Sequence, residues 1–319
     1  MKTVHRAYQD RGDDYERMWA FLIEDYRDRG WFIWTLGRLG DWKYGVWTEK
    51  KYIPCFLGDN AHLWFDAFGD LAGFVVSENG DGGFTVFVRR GGDFLYGEIL
   101  RWTVEHWHGR GDLTTEIHKD QPGVHPALRK AGFSTDGVIA VTQKYLLSEF
   151  CGDPVPLPAG YCVVDMDETP DFEGKRLLQI NAFQNRNELT ALDVLSYRYS
   201  RECPVYNPQF DLSILDETGR HVAGCQAFVD ARNGYAEVER ICTHSDYRRR
   251  GLAAAVVRAC FARLAEHGLT HAYITGYSPG AQALYAKLGA LDCASWTLYR
   301  RSAIKDQPAG NDHTVRGSV

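Results

Sequence analysis

A chain of 319 residues that is 45% hydrophobic, with 9 Trp, 17 Tyr and 16 Phe, has the length and apolar mass for two domains of about 150 residues each and is not a disordered chain. Thirty-six basic residues against 42 acidic ones leave a formal net charge of −6, which argues against nucleic acid or an anionic membrane as a general partner. Eight cysteines without a C-x-x-C pair read as reduced thiols; with no apolar leader and no run of about 18 apolar residues, a cytoplasmic protein is expected.

Helical periodicity opens the chain over residues 15–29. Short strand-like runs follow at 61–66, 71–77 and 84–89, separated by Gly-rich turns. A helix at 98–108, a strand at 113–118, a helix at 126–131 and a strand at 138–146 complete this half. The Pro- and Gly-rich segment 151–160 reads as a linker between residues 1–150 and 151–305. Beyond it the order repeats: helix 172–185, strands 211–216, 221–230 and 235–243, helix 252–267, strand 271–275, helix 281–288 and strand 291–301. Residues 306–319 are polar and aperiodic, a frayed tail.

Two local echoes recur at similar offsets. Leu71-Ala72-Gly73-Phe74 matches Val222-Ala223-Gly224-Cys225, and Leu128-Arg129-Lys130-Ala131-Gly132 matches Tyr285-Ala286-Lys287-Leu288-Gly289. The halves therefore read as divergent copies. Each is expected to be a mixed α/β (α+β) unit, with a mixed, mostly antiparallel sheet flanked by helices.

The chemistry concentrates at Arg248-Arg249-Arg250-Gly251-Leu252-Ala253, a basic turn between a strand and an Ala-rich helix. A helix N-terminus carries unpaired N–H groups and the positive end of the dipole, so a turn of this kind suits a pyrophosphate. Gly251 lacks a Cβ that would block the anion, Ala253 keeps the first helical turn small, and Arg248 adds charge. Glu237 and Glu239 alternate on the strand that feeds the turn and so share one face. An alkyl ammonium must lose a proton before it can attack, and either carboxylate is a candidate base; the alternation leaves the two on a par. An irregular point of the strand near Ile241 or Cys242 would offer backbone N–H groups to an oxyanion.

The Arg-x-x-Gly-x-Ala turn after a strand, with Tyr285 in Ala283-Leu284-Tyr285-Ala286-Lys287-Leu288-Gly289, resembles the GNAT (Gcn5-related) N-acyltransferases. The resemblance is strong over residues 235–290 and reaches the first half only as an order of elements. It implies that the N–H groups of Arg249, Arg250, Gly251, Leu252 and Ala253, with Arg248, hold the pyrophosphate of acetyl-CoA, and that Ile241, Cys242 and Thr243 lie against its pantetheine arm. It also implies Tyr285 as proton donor to the departing thiolate. Glu237 lies eleven residues before Arg248, the spacing at which histone-acetylating members place their base. Ser278 stands where many members carry Asn; it still suits a cap for the helix near Ala281.

The first half departs from this pattern. Leu128 occupies the position of Tyr285, and the turn reads Arg89-Arg90-Gly91-Gly92-Asp93, where Asp93 would repel a pyrophosphate. A degenerate, non-catalytic copy that walls the acceptor pocket is expected, with residues 185–210 as the other contributor. His106 and His108 face different ways on a helix, so no metal is expected. The aromatic group Trp31, Phe32, Trp34, Trp42, Tyr44 and Trp47 is read as core and inter-domain packing before ligand stacking. The resulting expectation is acetyl transfer from CoA to a primary amine of a small molecule, with a homodimer left open. The competing reading is a non-catalytic acyl-CoA-binding or sensing module, or an interaction protein.

Overall fold

In a computed structural model that describes residues 3–45, 53–152 and 155–303, every strand enters one twelve-stranded sheet. The first half runs β1 (Val4–Ala7), α1 (Asp14–Arg29), α2 (Leu36–Tyr44), α3 (Phe56–Asn60), β2 (Ala61–Phe65), β3 (Leu71–Val76), β4 (Gly83–Val88), α4 (Tyr96–Trp107), β5 (Leu113–His118), α5 (Val124–Lys130) and β6 (Ser134–Leu146). The second runs β7 (Cys162–Asp165), α6 (Phe172–Gln184), α7 (Ala191–Ser200), β8 (Asp211–Leu215), β9 (His221–Asp230), β10 (Tyr235–Thr243), α8 (Leu252–Glu266), β11 (His271–Gly276), α9 (Pro279–Ala286) and β12 (Asp292–Arg301). The expected tail at 306–319, and Trp47 of the aromatic group, lie outside the described residues.

Sheet order is β1-β2-β3-β4-β5-β12-β6-β11-β10-β9-β8-β7. Within each half the neighbours are antiparallel except β4 with β5 and β10 with β11, which are parallel across a helical crossover. The sixth strand of each half sits in the sheet of the other. β12 pairs antiparallel with β5, β6 pairs antiparallel with β11, and β6 and β12 pair with each other along most of their length. Neither half closes its sheet without a strand from its partner.

Local chemistry sets the helix ends that position the site. Thr35 caps α2 by accepting from the Arg38 N–H at 3.2 Å, and Asp171 caps α6 by accepting from the Gly174 N–H at 2.9 Å. Gly30 ends α1 in a left-handed conformation at φ 75°, its N–H returned to the Tyr26 carbonyl. α2 carries Gly37 and Gly40, which lower helix propensity and hid this element from periodicity. A Cβ at either would collide with Phe228 or Cys203 of the second half, so both glycines serve the close approach of α2 to the other domain. β1, α3 and β7 are too short for a periodic signal, and α7 lies in the stretch expected to be loop.

Four apolar clusters hold the molecule. One packs α8 on β8 to β11, and another packs α4 and α5 on β3 to β5. A third joins α1 and α2 to Cys203, Val205 and Phe228, and a fourth brings Tyr26, Trp31 and Phe32 against Tyr235, Tyr273 and Trp296. In the last, Tyr26 stacks on Tyr235 with ring centroids 4.0 Å apart, and its hydroxyl meets that of Tyr273 at 2.7 Å. Burying one such ring is worth about 1.5–3 kcal/mol, so these contacts weld the halves rather than merely adjoin them. Among the described residues, no helix is long and apolar enough to cross a membrane.

Candidate active site

The site begins where β10 leaves β11. The two strands pair in parallel only from Tyr235 with His271 to Glu237 with Tyr273. β11 then continues on β6 as far as Gly276, while β10 continues on β9, and a wedge opens between them. At the same level β10 bulges: Glu239 pairs with Gln226 and Cys242 with Gly224, so two residues, Arg240 and Ile241, face a single partner. Arg240 takes a left-handed φ of 53°, uncommon for a residue with a Cβ. Its guanidinium turns inward to Gln226 and to Asp41 of α2, an ion pair between the halves that holds the bulge in place. The expected irregularity near Ile241 is therefore present, one residue earlier.

The wedge widens into a groove of about 600 Å³. Its walls include Ile241, Cys242, Thr243, Arg248, Arg249, Gly251, Leu252, Ala253, Ser278 and Tyr285. Arg249 at φ 63° and Gly251 at φ 80° alternate with right-handed and extended neighbours, a backbone shape that turns N–H groups toward one side at the head of α8. Gly251 is needed for that φ, and the space where its Cβ would stand is open. Arg250 is absent from the groove walls; its guanidinium donates to the Asp246 carbonyl at 3.0 Å and lies 4.9 Å from the Tyr247 ring centre. Ser278 caps α9 through the Ala281 N–H at 3.2 Å. Ala182 and Phe183 at the end of α6 also line the groove, and Arg248 donates to the Ala182 carbonyl at 3.2 Å. Nothing in the local pattern of α6 marked that wall.

On the other side of β10 lies a second cavity, of about 300 Å³, shared by both halves. The second half supplies Phe228, Glu237, Glu239, Thr275, Tyr277 and Trp296; the first supplies residues 32–35, Gly37, Arg38, Asp41, Glu78 and Glu116. No residue of 185–210 reaches it, contrary to the expectation for that segment, because α7 packs on α6 and α2 instead. Glu237 is 5% exposed and accepts a hydrogen bond from the Thr35 hydroxyl. Burial, then repulsion by Glu239, pushes its carboxyl well above the usual range. Glu239 is partly buried and is raised by burial and by Asp41. The two carboxyls titrate as an interacting pair, in which the negative charge of Glu239 favours the protonated form of Glu237.

Tyr285 lines the groove. Its ring is 7% exposed and its backbone carbonyl accepts from the Tyr145 hydroxyl of β6 at 2.8 Å, so the exchanged strand fixes α9. Burial raises its hydroxyl pKa first, and the negative charge of Glu239 raises it further. A hydroxyl on the groove side that feels a carboxylate on the cavity side joins the two spaces electrostatically. Cys242 is buried, and burial pushes its thiol up to about 12, which leaves a backbone role rather than a nucleophilic one. His106 and His108 bond to the backbone carbonyls of Trp102 and Glu105, and among the described residues no group of three or more His, Cys, Asp or Glu is placed to hold a metal. Of the aromatic group, Trp31 and Trp42 are in the core, while Phe32 and Trp34 also line the cavity.

Residues 179–290 match the model of the acetyltransferase (GNAT) family. A GCN5-related N-acetyltransferase from Sphaerobacter thermophilus is 16% identical in sequence over 94% of this chain and 96% of its own, with a TM-score of 0.65. A tandem GNAT protein from the clavulanic acid biosynthesis pathway has the same identity, 16%, and the same TM-score, 0.65, over 96% of this chain and 100% of its own. A glucosamine N-acetyltransferase region of a fungal multi-domain β-N-acetylglucosaminidase aligns over 94% of this chain and 38% of its own at 13% identity and a TM-score of 0.53. Identities at this level establish the fold, two GNAT-like units in tandem. No curated protein matches the chain.

Proposed function

We propose that the chain, whose residues 179–290 match the GNAT acetyltransferase model and whose fold is similar to that of a tandem GNAT protein, transfers an acetyl group from CoA to a primary amine of a small molecule. The observation that carries this reading is the placement of two spaces on β10: a groove lined by the anion-binding turn and Tyr285 on one side, and on the other a cavity lined by Glu237 and Glu239, whose charge reaches the Tyr285 hydroxyl.

The residues divide the work by chemistry. Backbone N–H groups of Arg249 to Ala253, with the Arg248 guanidinium, bind the pyrophosphate of acetyl-CoA, and the bulged edge at Ile241 to Thr243 lies along the pantetheine arm. The bulge also aims backbone N–H groups toward a thioester carbonyl, whose oxygen becomes negative as the amine attacks. Glu237, held by Thr35 and kept protonated by burial, is the neutral neighbour of Glu239, which acts as the base that accepts the proton leaving the amine nitrogen. When the carbon–sulfur bond breaks, the Tyr285 hydroxyl gives its proton to the thiolate. An intact phenol is what burial and Glu239 favour, since both raise its pKa.

Two measurements test this together. Saturating acetyl-CoA at about 100 times its Kd should stabilise the fold by about 2.7 kcal/mol, visible as a rise in Tm. Release of free CoA thiol over a panel of amines should then show turnover. A rise in Tm without thiol release from any amine would leave a binding module, and no rise would remove the CoA reading.

A further inference from the structure

Among the described residues, five carboxyl side chains line the cavity on the acceptor side, Asp41, Glu78, Glu116, Glu237 and Glu239, against one cation, Arg38. Asp41 is balanced from behind by Arg240, and burial with the charge of Glu239 favours the protonated form of Glu237. Glu78, Glu116 and the remaining charge of the glutamate pair still exceed Arg38. Moreover, Arg38 is already committed. Its Nε donates to Glu78 at 3.1 Å, and Tyr277, which donates to Glu116 at 2.9 Å, stands beside it.

The cavity does not stop at Arg38. A second chamber of about 180 Å³ shares Arg38, Glu78 and Glu116 with the first and runs on between β4 and β5. Its further lining includes the polar Asp81, Thr85 and Thr114 beside the apolar Phe84 and Leu298. The acceptor space is therefore long, acidic at both ends and aromatic along one stretch, where Phe32, Trp34 and Trp296 supply the wall.

We infer that the acceptor is an elongated aliphatic diamine or polyamine: one amine faces Glu239 for acetylation while a second, charged ammonium lies near Glu78 and Glu116. A substrate carboxylate at that second position would have to displace Glu78 from Arg38 and would then meet Glu116. An ammonium meets two acceptors already in place, and the aromatic wall suits the methylene chain between the amines. The first half thus selects the acceptor through residues that it places 100 or more positions upstream of the glutamates. This inference rests on the acetyl-transfer reading.

The test compares three families of acceptor of matched length at saturating acetyl-CoA: linear diamines, alkyl monoamines and ω-amino acids, with thiol release as the readout. The wild-type protein should favour diamines over both others by about tenfold or more in kcat/KM, the size of effect that one charge-assisted contact supplies. Glu116→Gln should reduce the diamine-to-monoamine ratio by about tenfold, mainly through KM. Equal or better turnover of ω-amino acids would overturn the diamine assignment while leaving acetyl transfer intact, as would a ratio unmoved in both Glu116→Gln and Glu78→Gln. Thiol release from no member of any family, with the acetyl-CoA-dependent rise in Tm still present, would instead sink the acetyl-transfer reading on which the assignment stands.

Discussion

The two halves reach the same place in the sheet by the same route and furnish it differently. In the second, β10 bulges, carries two glutamates, and passes through Arg248 to Gly251 into α8 with open space in front of Gly251. In the first, β4 pairs with β3 without a register shift, and none of its six residues, Gly83 to Val88, is acidic. Its turn has Gly91 at φ 82°, but the Asp93 side chain occupies the approach to α4, packed so closely on Gly123 that a Cβ there would collide with it. Leu128, at the place of Tyr285, is fully buried in the core under α4 and α5. A shared fold therefore does not preserve an anion site. Such a site depends on what stands at the head of one helix and how the preceding strand is bent.

What the first half lost at its own groove it supplies to its partner. Thr35, Arg38, Asp41, Glu78 and Glu116 reach the acceptor cavity because the exchange of β6 and β12 and the glycines of α2 bring the halves into one body. The sharpest break of the comparison is at Glu239. Glu239→Gln should lower kcat by about 10²–10⁴-fold, the range for loss of a general base, whereas no first-half carboxylate should approach that effect. Tyr285→Phe should lower kcat by a smaller factor, about 10-fold or more, without weakening the acetyl-CoA-dependent rise in Tm. A rate unchanged in either variant would remove that residue from the chemistry.

A second contrast concerns the two basic turns. Arg248→Ala should weaken acetyl-CoA binding by about 10- to 100-fold, as expected for one charge-assisted hydrogen bond, and reduce the rise in Tm accordingly. Arg90→Ala should leave that rise where it is, since the Arg90 guanidinium is turned back to the Asp28 carbonyl and its turn faces Asp93. Equal losses in the two variants would mean that the first-half turn also holds CoA, and the contrast would fail.

Much of this contrast is legible in the sequence. The strands at 113–118, 221–230 and 235–243 appear at the expected bounds, because each is a short run bounded by turn residues, and β9, buried on both faces, needs no alternation. The groove residues were legible as well, since the turn and the head of α8 are contiguous in sequence. Arg250 shows the limit of contiguity: of three arginines in a row two line the groove, and this one folds back on Tyr247. Of the cavity, the glutamate pair and a wall from the first half are legible, but not the residues that build that wall. They stand more than 100 positions before Glu237, α2 is masked by its glycines, and strand exchange has no signature in either half taken alone.

The smallest expected effect separates the two glutamates, and it is one of stability. A carboxyl whose pKa is raised by folding binds its proton more tightly in the native state than in the unfolded one. Between its ordinary value of 4.5 and its raised native value, the native state therefore holds more protons, and stability falls as pH rises through that window. Below it the burial of Glu237 costs nothing. Glutamine mimics the protonated form, with an amide that donates to Glu239 and an oxygen that accepts from Thr35. Glu237→Gln should thus match the wild type in acid and exceed it by about 1 kcal/mol at alkaline pH, a difference read from Tm across pH 4 to 9. A variant that loses stability relative to wild type as pH rises would show Glu237 to be a charged structural partner.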